Sequence, residues 1–191
     1  MKEKEFSEKD LFTMASIVTY AHPEFDHRET LLYLANIYYN TLPDVFIVIR
    51  DNESDRIIAF AVIVPVNENF AEEFKTGKII FGVRYHEDFP IVEAVDFDAS
   101  IRLFPRPAII DGIYVSKNSP AGTENKLIAD IKQLLAIKKD LGISFTELIA
   151  RREEKDDRYF YELLMRHERC LEKGVVIYEA TPEEIINKQL D

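Results

Sequence analysis

Residues 57 to 64 read IIAFAVIV, eight apolar side chains in a row closed by Pro65. A membrane helix needs about 20 such residues, so this run is a strand. A strand that does not alternate in polarity must be covered on both faces. The preceding VFIVIR (45–50) and the polar DNESD (51–55) make it the second arm of a hairpin. A sheet with apolar residues on both faces requires helices on both faces, which is α/β layering.

The helices are legible on either side of that hairpin. Ser7 with Asp10 starts a helix whose stripe is Leu11, Met14, Ala15, Ile17 and Val18, ending near Tyr20. Asp26 and Glu29 have capping-box spacing before a second helix, with Leu31, Leu32, Leu34, Ala35, Ile37 and Tyr38, which stops before Pro43. From residue 107 the chain reads strand (AIIDGIYV), helix (about 122–140), strand (SFTELIA), helix (about 155–172) and strand (GVVIYEA). Thr181, Pro182 and Glu184 then open a short last helix. Residues 67–106 are atypical: a short helix on Phe70, Ala71 and Phe74, a strand at KIIFGVRY (78–85), then an acidic, aromatic loop. That segment suits a lid, a partner surface or the interface of a homodimer.

With 191 residues and neither a repeat nor a Gly/Ser linker, the expectation is one domain, residues 1–191. The formal charge of −11 without a local basic patch argues against nucleic acid as a partner. No apolar run is long enough for a membrane, and MKEKEFSEKD is not an export signal, so the cytoplasm is the expected location. Cys170 is the single cysteine, so no intramolecular disulfide can form, and its expected place on a helix suggests an inert thiol. His22 and His27 lack metal-ligand spacing because Pro23 breaks the register, and no metal site is expected.

Three stretches together carry a resemblance: EFSEKDLFTMASIV as a short first strand and opening helix, VFIVIRDNESDRIIAFAVIV as the hairpin, and IDGIYVSKNSPAGTENKLIADIKQLL as a central strand, turn and helix. In this order they resemble the GNAT-type N-acetyltransferases over most of the chain, with a twisted mixed sheet and helices on both faces. The resemblance implies an acyl-CoA-dependent N-acyltransferase, with acetyl-CoA or another acyl-CoA as cosubstrate and a primary amine of a small molecule or protein as acceptor. It also implies that the turn after the central strand offers backbone N–H groups to the CoA diphosphate, placing Ile113, Val115, Ser119, Ala121, Gly122 and Thr123 beside the cosubstrate. Taken by itself the same Ser/Pro/Gly turn is a helix cap, with Ser119 or Thr123 as the capping side chain. The family's turn begins with Gln or Arg and ends with Gly or Ala, where this chain has Ser119 and Glu124. A carboxylate beside a diphosphate is repelled unless it turns to water, although Lys117 and Lys126 offset it.

Amide formation from a thioester needs a base for the amine and an acid for the thiolate. The resemblance puts the acid at Tyr161 in DDRYFYELLMRHE, with Lys155 where the family often has Asn. Asp111 interrupts an apolar strand and is the candidate base if it is buried, against the alternative that it lies at a solvated strand end. Glu93, Asp96 and Asp98 are alternatives from the atypical segment. The loop AHPEFDHRE borders the acceptor site in the family, so His22, Glu24 and Asp26 are candidates to meet the amine. Glu124, Lys155 and the absent Gln or Arg also suit a second reading, a catalytically inactive GNAT-like module that binds a protein or senses acyl-CoA.

Overall fold

The computed structural model describes residues 6–23, 25–40, 45–76, 105–141, 145–153, 165, 167–171 and 175–189. Helices α1 (Glu8–Ala21) and α2 (His27–Asn40) precede the hairpin β1 (Phe46–Arg50) and β2 (Ile57–Pro65). Helix α3 (Glu68–Lys75), strand β3 (Arg106–Val115), helix α4 (Thr123–Asp140) and strands β4 (Phe145–Glu153), β5 (His167–Leu171) and β6 (Val175–Ala180) follow, and α5 (Pro182–Asn187) closes the described chain. Among the described residues the sheet has six strands in the order β1-β2-β3-β4-β6-β5. Its one parallel pair among the described residues is β3 with β4, and α4 is the crossover between them.

Both faces of the sheet are covered, as the unbroken IIAFAVIV run requires. On one face Ala59, Ala61 and Ile63 of β2 meet Leu127, Ile128, Ile131 and Leu135 of α4. On the other, Phe60, Val62 and Val64 meet Leu11, Met14 and Val18 of α1, Ile37 of α2, and Phe70 and Phe74 of α3. A buried side chain such as Phe60 contributes about 2 to 3 kcal/mol through the apolar surface it removes from water. The helix starts fit their residues too. Ser7 donates its amide to Asp10 Oδ2 at 2.8 Å, Asn67 accepts from the Phe70 amide at 2.8 Å, and Thr181 and Glu184 form a capping box.

Two expectations are overturned. The helix read as 155–172 does not extend that far, because residues 167–171 form β5, paired antiparallel with β6 from His167↔Glu179 to Leu171↔Val175. Cys170 is therefore a strand residue, opposite Val176. A five-residue polar and apolar mixture fits either period, and ladder pairing to β6 decides the outcome. The short first strand does not appear at Phe6 and Ser7, which lead directly into α1. The strand expected at 78–85 and the acidic, aromatic loop after it lie outside the described residues.

Candidate active site

The site is built where β3 leaves its neighbour. Its register with β4 runs from Arg106↔Phe145 to Ile110↔Ala150, yet β3 continues to Val115 and β4 to Glu153. On its other side β3 stays paired with β2, but the register steps from Ile63↔Ile110 to Ala61↔Ile113. One residue of β2, Val62, is opposed there by two of β3, a bulge at Asp111 and Gly112. Ile110 and Ile113 consequently enter the same core although they stand three apart, which a regular strand forbids. Asp111 keeps the alternation set by Ile109 and so faces α2 on the opposite side of the sheet, and the bulge changes the face of the residues that follow it.

Tyr33 of α2 meets it there, its hydroxyl donating to Asp111 Oδ2 at 2.6 Å. Burial pushes the Asp111 carboxyl up to about 6, and the hydrogen bond from Tyr33 acts in the other direction. The Tyr33 hydroxyl is itself held well above its ordinary value, first by burial and then by the neighbouring Asp111 charge. Between the solvated and the buried reading of Asp111, the geometry is that of a partly buried carboxylate with a fixed partner.

Further along β3, the Tyr114 ring stacks on Phe60 with centroids 4.9 Å apart. The ring of His22, at the end of α1, meets Tyr114 edge-on at 5.9 Å and stacks on Phe25 at 5.2 Å. The connection between α1 and α2 thus reaches the same end of β3 as Asp111. Asp26 is exposed, and its Oδ1 accepts from the amides of Arg28 and Glu29, so its carboxylate serves the start of α2. Glu24 and Tyr161 lie outside the described residues, as do Glu93, Asp96 and Asp98.

After Val115 the chain turns into α4 and encloses a hollow of about 310 Å³ lined by residues 115–117 and 119–124. The turn is held by its own hydroxyls. Ser119 Oγ donates to the Ser116 carbonyl at 2.7 Å, and Thr123 Oγ1 donates to the Pro120 carbonyl at 2.7 Å. Neither side chain caps the helix, which corrects the simpler reading of this turn. The N-cap is Gly122, at φ 86°, a left-handed conformation that costs glycine little. The amides of Thr123 and Lys126 bond to Pro120 and Gly122. Those of Gly122, Glu124 and Asn125 find no acceptor among the described residues. Unpaired amides at the N-terminus of an 18-residue helix favour an anion. Glu124 is exposed at the rim of the same hollow, with Lys117 and Lys126 exposed nearby.

The fold has counterparts among solved structures. SsHAT superposes over 94% of this chain and 96% of its own with a TM-score of 0.57 at 15% identity. The aminoglycoside 6'-acetyltransferase type Ii covers 94% and 96%, with a TM-score of 0.54 at 11% identity. The C-terminal condensation domain of Ebony, in complex with beta-alanyl-dopamine, covers 92% and 96% with a TM-score of 0.54 at 10% identity.

The fold is that of the GNAT-type acetyltransferases.

No protein-family model and no curated protein matches the sequence, so the GNAT-like assignment stands on backbone geometry. Within that geometry, Tyr33 and Tyr114 are the residues that sequence reasoning missed. Tyr33 lies inside LLYLANIYY, where it reads as one more member of an amphipathic helix. Among the described residues, no group of three or more His, Cys, Asp or Glu side chains is placed to hold a metal, and no helix is long and apolar enough to cross a membrane.

Proposed function

We propose that this chain is an acyl-CoA-dependent N-acyltransferase, with acetyl-CoA as the first candidate donor and a primary amine as acceptor. The observation that carries the reading is the path of β3. One strand leaves its parallel neighbour, carries a carboxylate facing α2 beside a bulge, and runs into a turn where the amides of Gly122, Glu124 and Asn125 find no acceptor among the described residues. From Asp111 to the turn at Ser116 is five residues, roughly 16 Å at about 3.3 Å per residue. That span suits a donor whose diphosphate and thioester are separated by an extended arm.

The turn fits the diphosphate. Its hydroxyls are engaged in holding its shape, which leaves the amides of Gly122, Glu124 and Asn125 as pre-oriented donors. Ile113 and Val115, beyond the last β3–β4 pair, supply strand backbone for the arm, with Ser119 and Ala121 at the hollow. At the other end, the Asp111 carboxylate accepts the proton that the amine loses as its nitrogen bonds the thioester carbonyl carbon. The C–S bond then breaks and the thiolate is protonated, the role that the family resemblance gives Tyr161. A carboxyl near 6 is a stronger base than an ordinary aspartate while remaining charged at pH 7. His22 and the Tyr114 ring border the place where the amine would approach. Of the acceptor residues expected from sequence, Glu24 keeps its role as a proposal, and Asp26 keeps its own only with its cap intact.

A thermal scan with acetyl-CoA tests donor binding, because a ligand at 100 times its Kd adds about 2.7 kcal/mol. Thiol release across a panel of amines tests turnover. Glu124 at the hollow's rim supports the second reading, a module that binds acyl-CoA or a protein without catalysis. Stabilisation by acetyl-CoA with no thiol release from any amine would select it, and neither stabilisation nor release at millimolar donor would sink both acyl-CoA readings.

A further inference from the structure

Tyr33 has no place in the sequence pattern of the site, yet it makes the shortest contact to its candidate base. The bond from its hydroxyl to Asp111 Oδ2 is 2.6 Å and joins residues 78 positions apart. It also joins two structural layers, since Tyr33 stands on α2 and Asp111 on the bulge of β3. A carboxylate held beside a bulge, where the ladder is locally disrupted, needs a partner to keep one rotamer. Among the described residues, the groups around this bond come from several elements. Tyr114 of β3 interacts with Tyr33, and His22 from the end of α1 meets the Tyr114 ring. Arg151 of β4 stands one position past the last β3–β4 pair, and Val62 of β2 lies opposite the bulge.

We propose that Tyr33 is a positioning residue: its hydroxyl, delivered by α2, fixes the Asp111 carboxylate at the bulge and keeps it in the charged form that accepts a proton. The catalytic sense of this inference rests on the acyltransferase reading; the coupling between the two side chains does not. A hydroxyl that donates to a carboxylate stabilises its charge, so removing the donor makes the carboxylate harder to ionise. A tyrosine that served only as packing would leave that ionisation unchanged when its hydroxyl was altered.

The experiment follows the Asp111 carboxyl carbon by NMR through a pH titration of the ligand-free protein, with Asp111→Asn to assign the signal. Wild type should titrate near 6. Tyr33→Phe should titrate about one pH unit higher, the equivalent of one charge-assisted hydrogen bond. A ring-fluorinated tyrosine at position 33, which is a better donor of nearly the same shape, should move the midpoint downward and keeps the test decisive where Tyr33→Phe folds poorly. In acyl transfer, the higher midpoint lowers the Tyr33→Phe rate about fivefold at pH 6, and the gap narrows as pH rises. Coincident midpoints in the three proteins would overturn the proposal. Midpoints that move in a protein releasing no thiol with any amine would uphold the Tyr33–Asp111 coupling and overturn the transferase reading instead.

Discussion

From Arg106 to Ile110, β3 is in register with β4, its Ala108–Ile110 stretch is in register with β2 as well, and Ala108, Ile109 and Ile110 are all buried. From Asp111 to Val115 the register with β4 has ended, one extra residue is inserted opposite β2, and an acid and a tyrosine replace aliphatic side chains. The first half holds two cores together. The second half gives up part of that pairing, which exposes backbone next to a carboxylate that faces α2. Ladder bonds and buried methyl groups stabilise a strand, while a binding cleft needs groups that the fold has not already satisfied.

That contrast can be broken by substitution. Ile110→Ala, in the paired half, should lower stability by about 2 to 5 kcal/mol, read by urea denaturation, because it leaves a cavity between β2, β4 and α4. Asp111→Asn, one residue on, should do the reverse. Its acyl-transfer rate should fall at least about 100-fold, the typical contribution of a general base. Its stability at pH 7.5 should rise by about 1 kcal/mol. The sign follows from linkage: with the folded carboxyl at about 6 against an ordinary 3.8, the folded state binds the proton more tightly. Stability therefore declines as pH rises from about 4 to about 6, and the cost is fully present above that window. The full conversion of such a shift would be near 3 kcal/mol, reduced here because Asp111 is partly exposed. The stabilisation by Asp111→Asn should accordingly vanish near pH 4.

Smaller effects belong to the turn that β3 feeds. Gly122→Ala should cost about 1 kcal/mol in thermal unfolding: there is open space for a methyl group, but φ 86° suits only glycine well. Glu124→Gln should tighten acetyl-CoA binding by about two- to fivefold at low salt, with the gain shrinking as salt is added. An unchanged affinity would mean that the exposed carboxylate lies too far from the diphosphate to matter.

Much of this architecture was readable from the chain. The unbroken apolar run of β2 demanded covered faces, and the hairpin, α3, α4 and the Thr181 cap lie close to where their patterns put them. Asp111 was conspicuous as the one acid in AIIDGIYV. Its partner was hidden, because α2 presents Tyr33 among other apolar and aromatic residues and only the packing of α2 over β3 joins them. The bulge was equally invisible, since periodicity reports a face for each residue and an inserted residue shifts that face without changing composition. β5 was misread because five mixed residues carry too little period to resist pairing with β6; Gly174, between two short runs, was the hairpin signal that could have exposed it.

The central claim, that the bulged end of β3 supplies the base for acyl transfer, is tested most directly by the pH dependence of kcat/KM for CoA thiol release in wild type and Asp111→Asn. The account predicts a single-ionisation rise with a midpoint near 6 in wild type, lost together with most of the rate in the variant. A wild-type profile flat from pH 5 to 8, or a variant that keeps the wild-type rate and profile, would contradict it.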